Sequence, residues 1–181
     1  MDPASEKIIA KIKEEGGRYE IINGKLIVKR GETPANGFSR HLLAAWLSEL
    51  FGGMCVAHHG DIDLSQPRVN EPEASILVVN QPYTSLGVRH PGPSDVVLVV
   101  EVSDKTLDFD RTTKAVLYAR AGITEYWILD IAGRQVLVHR LPQAGGYADV
   151  TSHGPDERIA TLARPEQGVL VADLFPSSVT V

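Results

Sequence analysis

A glutamate near the end of an apolar run is the first residue whose type and position suggest chemistry. The segment at positions 94–103 reads SDVVLVVEVS, and side chains alternate between the two faces of a strand. Glu101 therefore shares a face with Val99 and Ser103, while both faces are apolar from Val96 to Val100, as in a central strand covered on both sides. A carboxylate in that setting is unfavourable unless it is paired or bound to metal. We expect Glu101 to have such a partner.

The helical segment that follows offers a lysine as this partner. The run DRTTKAVLYARAG at 110–122 is typical of a helix that Asp108 or Asp110 caps and Gly122 ends. Lys114 begins its inward stripe at helical spacing, which continues with Leu117, Tyr118 and Ala121. Two interpretations remain open at this point. Lys114 extends past the core edge to form a structural ion pair with Glu101, or the two charges belong to a functional site.

A second carboxylate, Glu73, begins the strand EASILVVN directly after Pro72. If this strand lies beside the strand of Glu101, the two carboxylates meet at adjacent strand ends. Two carboxylates and a lysine suit a site for a hard, oxygen-seeking cation such as Mg²⁺, which activates water and neutralises phosphate charge. The alternative for Glu73 alone is a solvated strand start.

Other polar residues are weaker candidates. His58 and His59, in HHGDID at 58–63, are adjacent, so on a strand they would point to opposite faces. The pattern there predicts a polar turn between strands. Arg89 and His90 lie in a loop where they could contact phosphates, with a solvated loop as the alternative.

The remaining patterns predict a mixed α/β domain with an extended sheet, two main helices and a strand-rich C-terminal part. A hairpin is predicted at 18–30 around Asn23-Gly24, a pair that suits a type I′ turn. A helix is predicted over 38–51 with Gly52 closing it, after a loop at 31–37. We expect one domain over 1–181, consisting of an N-terminal helix in 1–17 and a core over 18–175. Further strands are predicted at EYWILD, QVLVHRL, GYADVTS, RIATLAR and GVLVADLF.

The overall composition is that of an ordinary globular chain. Of the 181 residues, 43% are hydrophobic and the net charge is −5, which argues against a generally basic nucleic-acid-binding surface. A nuclease is not excluded, because a metal-dependent nuclease needs only a local cluster of carboxylates. The single cysteine, Cys55, permits no intrachain disulfide. The sequence has no apolar run of about 20 residues and no signal-peptide pattern at its start, so we expect a cytoplasmic protein without membrane contact.

Several of these motifs together resemble a known family. In order along the chain they are Glu20 in RYEIINGKL, His41 in SRHLLAAWL, PE at 72–73, EVS at 101–103, DFDRTTKAVLYARAG and TEYWILD. This order is similar to that of the Uma-type "putative restriction endonuclease" family, within the PD-(D/E)XK nuclease superfamily. The resemblance covers residues 18–175 and implies a restriction-endonuclease-like fold, in which a mixed sheet is flanked by helices and the active site lies at splayed strand ends.

The resemblance also implies roles for individual residues. Glu73 matches the first acidic metal ligand, which is usually aspartate, and Glu101 matches the second. The superfamily's lysine commonly stands two residues after the second acidic ligand, where this chain has Ser103. In families of this kind the lysine has moved to the following helix, and Lys114 matches that position. Glu20 matches a further acidic position, either a metal contact or a brace. His41 matches a recurrent histidine, for which a hydrogen bond to a neighbouring loop is an equally good interpretation.

These observations lead to three hypotheses. The first is a Mg²⁺-dependent endonuclease that hydrolyses DNA phosphodiester bonds, with Glu73, Glu101 and Lys114 as catalytic residues and Mn²⁺ able to substitute. The second is a weakly active or inactive nuclease-fold module for nucleic-acid binding or protein interaction, which the glutamate at 73 and the acidic charge favour. The third is a metal-dependent hydrolase of another phosphoester. A homodimer suits the cutting of both strands of a duplex.

Overall fold

A six-stranded sheet forms the centre of the protein. The computed structural model describes residues 3–29, 31–64 and 70–177. The strands of the main sheet are β3 Val56–Asp61, β4 Glu73–Val79, β5 Val96–Ser103, β6 Glu125–Asp130, β7 Gln135–Gln143 and β8 Gly146–His153, with β1 and β2 belonging to an earlier hairpin. They are ordered β3-β4-β5-β6-β7-β8, so β5 is internal to the sheet, as its apolar residues predict. β5 and β6 run parallel, and the other neighbours in this sheet are antiparallel.

Helices cover both faces of this sheet. Helix α2, Pro34–Phe51, packs Leu43 and Leu47 on the face that carries Val100. A helical segment after β5 packs Tyr118 on the opposite face, which carries Val99. Because side chains alternate along β5, Glu101 lies on the Tyr118 side. The predicted mixed sheet flanked by helices is therefore confirmed.

The predicted hairpin is also confirmed, and it lies outside the main sheet. It follows helix α1, Pro3–Glu14, and pairs β1 Arg18–Ile22 with β2 Lys25–Lys29. Its turn residues Asn23 and Gly24 have φ of 52° and 74°, which are the positive values that a type I′ turn requires. A bridge between Ile21 and Glu71 connects the hairpin to the segment just before β4. The hairpin is thereby held near the start of that strand.

Helix α2 begins four residues earlier than the apolar stripe predicts. Thr33 is its N-cap, with its hydroxyl accepting from the Asn36 amide at 3.3 Å, and Pro34 occupies the first turn, where a missing N–H costs nothing. The predicted loop at 31–37 is thus wrong over 34–37, because Thr-Pro acted as a helix start. The predicted end is confirmed, since Gly52 is the C-cap with a φ of 85°.

The helix after β5 differs from its prediction at its start. It consists of α3 Leu107–Phe109, a wide π-helical turn Asp110–Lys114 and α4 Ala115–Arg120. Thr106 is the residue before its first turn, so the prediction that Asp108 or Asp110 caps the helix is wrong. Gly122 follows the end of α4 with a φ of 79°, as predicted.

Two other predictions are corrected. The histidines at 58 and 59 lie in strand β3 rather than in a turn, and their strand packs closely because Gly60 has no side chain to collide with Leu77 of β4. The C-terminal strands are shorter than predicted. β9 Arg158–Ile159 and β10 Val169–Leu170 form a small antiparallel pair, after which the chain turns into a short 3₁₀ helix. No helix in the described part of the chain is long and apolar enough to cross a membrane.

Candidate functional site

The ammonium group of Lys114 lies at the centre of the candidate site. Its Nζ donates to Glu101 Oε1 at 2.8 Å and lies 2.7 Å from Glu20 Oε2. It also donates to the backbone carbonyl of Glu73 at 3.1 Å. The Lys114 side chain is only 1% exposed, so this charge is almost entirely removed from water. The predicted inward orientation of Lys114 and its contact with Glu101 are therefore present.

Glu20 reaches this cluster from the hairpin, outside the main sheet. Its Oε2 accepts from the Glu73 amide at 3.3 Å, and its Oε1 lies 3.5 Å from Lys29 Nζ of the neighbouring strand β2. Glu20 is therefore a brace that joins the hairpin, the start of β4 and Lys114. Glu20, Ile21 and Ile22 are all buried, so the second half of β1 is covered on both faces and the charge of Glu20 lies inside the protein.

The carboxylates around Lys114 keep it charged. Burial alone would lower the pKa of Lys114, because it disfavours the ammonium form. The negative charges of Glu101, Glu20 and Asp110 outweigh this effect and raise the pKa above the ordinary lysine value. Lys114 is consequently a permanent cation at neutral pH and not a proton acceptor.

Two hydroxyl groups fix the carboxylate of Glu101. Tyr118 donates to Glu101 Oε1 at 3.1 Å, and Ser75 donates to Glu101 Oε2 at 3.1 Å. Ser75 Oγ in turn accepts from the amide of Val102, which ties the two strands together at this level. Neither hydroxyl is predicted by the sequence pattern to belong to the site. Their positions were nonetheless visible in the sequence, since Tyr118 follows Lys114 by one helical turn and Ser75 shares the face of Glu73.

The carboxylate of Glu73 points away from Lys114. Its Oε1 accepts from Arg18 NH1 at 2.8 Å and lies 3.6 Å from His59 Nδ1. Burial opposes the charge of Glu73, but the contacts with His59 and with the Arg18 guanidinium hold its pKa below the ordinary value. Glu73 therefore contributes its backbone to the Lys114 cluster and its side chain to a neighbouring ion pair, a division that the sequence pattern did not predict.

The geometry of His59 explains its contact with Glu73. His59 has a φ of 54°, a left-handed value that is uncommon for a residue other than glycine and that interrupts the regular pairing of β3. Its Nε2 lies 3.7 Å from Glu32 Oε1, and Arg18 NH1 contacts its Nδ1. The histidine thus bridges two carboxylates at the edge of the site.

A fourth buried acid, Asp110, stands in the π-helical turn before Lys114. Its Oδ2 accepts from Ser103 Oγ and, at 2.7 Å, from Thr106 Oγ1. Burial and the nearby charge of Glu101 raise the pKa of Asp110 to about 6. Ser103, which stands at the superfamily's lysine position, thus supports an acid and does not contact the Lys114 ammonium. Wide turns of this kind are rare and occur often at functional sites.

The carboxylates of this site line one pocket of about 450 Å³, whereas Lys114, Tyr118, Ser103 and His59 are not among its lining residues. The hairpin, the segment 31–36, the strand ends and the loop at 104–106 form its walls. Its acidic lining residues are Glu20, Glu32, Glu73, Glu101, Asp104 and Asp110, and its basic ones are Arg18, Lys29 and Lys105. His41 is exposed on α2 and does not line the pocket.

The comparison with known families identifies the chain. A family model named Uma2 and described as "Putative restriction endonuclease" matches residues 6–171, which is most of the 181 residues. The chain belongs to the Uma2 family. The resemblance to the Uma-type family is therefore confirmed, and membership of this family supports a nuclease.

A solved structure shows that this Uma2 chain has the fold of a nuclease-like protein. It is described as a "putative nuclease belonging to DUF820" from Anabaena variabilis. The two share 14% identity with a TM-score of 0.66, and the match covers 87% of this chain and 89% of that one. At this identity the likeness shows the fold alone, and the predicted restriction-endonuclease-like architecture is confirmed. No curated protein matches the sequence significantly.

The site of this Uma2-family chain fits a hard divalent cation by the chemistry of its donors. Glu20, Glu73, Glu101 and Asp110 bring only oxygen ligands to one pocket, the type that Mg²⁺ prefers. Across residues 3–29, 31–64 and 70–177, however, no three His, Cys, Asp or Glu side chains already surround a common point. The carboxylates instead hold Lys114, Arg18 and Lys29. A metal at this position would have to draw at least one of them from its internal partner.

Proposed function

We propose that the protein is a Mg²⁺-dependent endonuclease that hydrolyses DNA phosphodiester bonds, with Mn²⁺ able to replace Mg²⁺. Glu73 and Glu101 are the proposed metal ligands, and Lys114 is the third catalytic group. The observation that carries the proposal is the buried Lys114 ammonium, 2.7 Å from Glu20 and 2.8 Å from Glu101, beneath a pocket that both glutamates line. A buried group with a shifted pKa beside a pocket is a candidate for catalysis, and membership of a nuclease family favours an anionic substrate there.

The proposed part of Lys114 is electrostatic. Its raised pKa keeps the ammonium charged, so it does not accept a proton from the attacking water. Its charge lies directly below Glu101 and Glu20 in a region with little water, where a fixed positive charge offsets negative charge that develops on a phosphate. A bound Mg²⁺ would supply the Lewis acidity that polarises the phosphate and acidifies water.

The supporting residues hold this arrangement in place. Ser75 and Tyr118 fix both oxygens of Glu101, at 3.1 Å each, so the carboxylate has one orientation toward the pocket. Glu20 holds Lys114 from the hairpin side, and Ser103 holds Asp110. Positioning of this kind matters because displacements of about 1 Å at a catalytic group are enough to slow a reaction greatly.

Cleavage of supercoiled plasmid with Mg²⁺ or Mn²⁺ tests the proposal. We expect wild type to nick the plasmid and Glu101→Gln and Lys114→Met to lose activity by roughly 10²–10³-fold, the usual effect of removing one fixed charge or donor. Glu157→Gln changes an exposed glutamate outside the pocket and serves as the matched control. Equal cleavage by all four proteins would assign the activity to a contaminant or to another site.

The second candidate function is a DNA-binding or protein-interaction module that does not cleave. The ion pairs of Glu73, Glu20 and Glu101 favour it, because carboxylates that are already neutralised by Lys and Arg side chains attract a metal ion less strongly. Binding of a labelled DNA duplex in EDTA, followed by addition of Mg²⁺, separates the two. A module binds in both conditions and leaves the duplex intact, whereas the nuclease cuts it once Mg²⁺ is present.

We also propose that the protein acts as a homodimer, since two-fold symmetry places one site on each strand of a duplex. Strand β8 is an outer strand of the main sheet, with β7 as its partner there, and Val150 on it is exposed. Light scattering coupled to size-exclusion chromatography tests this. A mass close to the 19.7 kDa of one chain at micromolar concentration would reject the dimer.

A further inference from the structure

The proposed metal ligand Glu73 is occupied by a cation of the chain itself. Arg18 NH1 lies 2.8 Å from Glu73 Oε1, and the Glu73 side chain is 7% exposed. In this arrangement the carboxylate is neutralised by the guanidinium of Arg18. A divalent cation that used both glutamates would first have to break the Arg18 pair.

Arg18 itself has access to the pocket. Its side chain is 29% exposed and lines the same cavity as Glu73 and Glu101. It begins strand β1 at the rim of the hairpin, where it pairs in register with Lys29. The planar guanidinium presents two parallel donors that match a phosphate as well as they match a carboxylate. Arg18 therefore has two alternative anions within one pocket, the internal one on Glu73 and the external one on a substrate.

We propose that Arg18 is the phosphate-binding residue of this site and that its move from Glu73 to a substrate phosphate releases Glu73 for the metal. The inference rests on the proposed function and adds to it that the metal and the phosphate bind cooperatively. Without substrate, Arg18 keeps the metal affinity low. With a phosphate in the pocket, the carboxylate of Glu73 loses its internal partner and becomes available to an external cation.

His59 determines where Glu73 rests after Arg18 leaves. Its Nδ1 lies 3.6 Å from Glu73 Oε1, and its Nε2 lies 3.7 Å from Glu32. When Arg18 leaves, the imidazole also loses its arginine contact at Nδ1, and its Nε2 stays beside Glu32. Glu73 is consequently released from a cation without losing its position at the start of β4.

Reciprocity makes the proposal quantitative. If phosphate raises the affinity for metal by some factor, metal must raise the affinity for phosphate by the same factor. Couplings between two sites of a protein are commonly roughly 5- to 150-fold, and exchange of one close ion pair belongs in that range. Removing the Arg18 charge should abolish the coupling and leave the metal affinity permanently raised.

Calorimetric titration with Mn²⁺, alone and with thymidine 5′-monophosphate, tests this without any turnover. For wild type we expect the nucleotide to raise Mn²⁺ affinity by roughly 5-fold or more. For Arg18→Gln we expect Mn²⁺ alone to bind roughly 5-fold or more tightly than it binds wild type, with no further gain from the nucleotide. A titration of Mn²⁺ into the nucleotide alone corrects for their direct association.

Two further variants make the test interpretable. Arg140→Gln removes the arginine of another close carboxylate pair, with Glu125, outside the pocket, and should behave as wild type. Arg18→Lys keeps the positive charge but not the two parallel donors of the guanidinium. It should therefore fold if Arg18→Gln does not, and it should show a weaker coupling between nucleotide and Mn²⁺ than wild type. Thermal unfolding verifies that each variant is folded.

The outcomes separate this inference from the proposed function. Equal Mn²⁺ affinity of wild type and the Arg18 variants without nucleotide, or an undiminished coupling in them, overturns the inference and leaves a metal-dependent nuclease standing if plasmid cleavage still needs Mg²⁺. Absence of Mn²⁺ binding in every variant and condition, together with cleavage that ignores EDTA, overturns both.

Discussion

Replacing Lys114 by methionine tests the central ion cluster most directly. Methionine has a similar length and no charge, so it leaves the buried space filled and removes only the ammonium. Glu20 then retains Lys29 at 3.5 Å as a cation, whereas Glu101 retains the hydroxyl groups of Ser75 and Tyr118. The variant therefore leaves one buried carboxylate without a charge partner among the described residues.

The magnitude follows from that unpaired charge. Removing one partner of a buried ion pair commonly costs about 3–5 kcal/mol of unfolding free energy. Since domains of this size have a total of about 5–15 kcal/mol, Lys114→Met should remain folded at 25 °C but with a much lower urea midpoint. Exposed Lys25→Met is the control and should lie within about 0.5 kcal/mol of wild type.

The pH dependence of this loss has a definite sign. The pKa of Lys114 is raised in the folded state, so its contribution to stability is complete below the ordinary value of 10.5 and is lost as the pH rises through the folded value. The stability difference between wild type and Lys114→Met, as far as the lysine determines it, should therefore be constant between pH 6 and pH 9.

A double-mutant cycle with Glu101→Gln identifies the partner. If the contact at 2.8 Å carries the effect, the double variant should be less destabilised than the sum of the single variants, by about 0.5–3 kcal/mol. Urea unfolding followed by circular dichroism measures all four proteins. A loss below about 1 kcal/mol for Lys114→Met, with additive single effects, would refute the ion cluster.

Three other predictions concern the surroundings of the site, each measurable by urea unfolding. Tyr118→Phe removes a hydroxyl that donates to a buried carboxylate and should lower the unfolding free energy by about 1.5–3 kcal/mol. Tyr83→Phe removes a buried hydroxyl with no partner in the described residues and should leave the unfolding free energy unchanged. Equal effects of the two substitutions would contradict the hydrogen bond to Glu101. Asp110 has a pKa of about 6 in place of 3.8, so it lowers stability as the pH rises from about 4 to 6. Asp110→Asn should therefore gain about 2.5 kcal/mol relative to wild type between pH 4 and pH 7, and a flat difference would reject the raised pKa. Gly60→Ala would place a methyl group 2.8 Å from a side chain of the next strand and should cost about 1–3 kcal/mol, while Gly53→Ala, which meets open space, should not; tolerance of both would contradict the close strand packing.

The central part of the site was predictable because its signals are local. Apolar residues on both faces of β5 made Glu101 stand out, and helical spacing placed Lys114 on the inward stripe. These inferences need only the periods of a strand and a helix. The hairpin was equally predictable, because Asn23-Gly24 tolerates the positive φ values of its turn.

The rest depends on contacts between distant parts of the chain. Glu20 reaches Lys114 from a hairpin outside the main sheet, and no sequence period connects the two positions. The orientation of Glu73 depends on Arg18 and on the unusual backbone of His59, neither of which has a local signature. For that reason the contacts of each carboxylate were less predictable from the sequence than the location of the site at the ends of β4 and β5.

The wide helical turn has a consequence for how the length of this segment can vary. A π-helical turn is an α-helix that holds one additional residue. Deleting a single residue between positions 111 and 113 would restore regular winding and leave Asp110 three positions before Lys114. Residues at that spacing lie on one face of an α-helix, so a shortened chain would still bring the acid and the lysine to the same side of the helix.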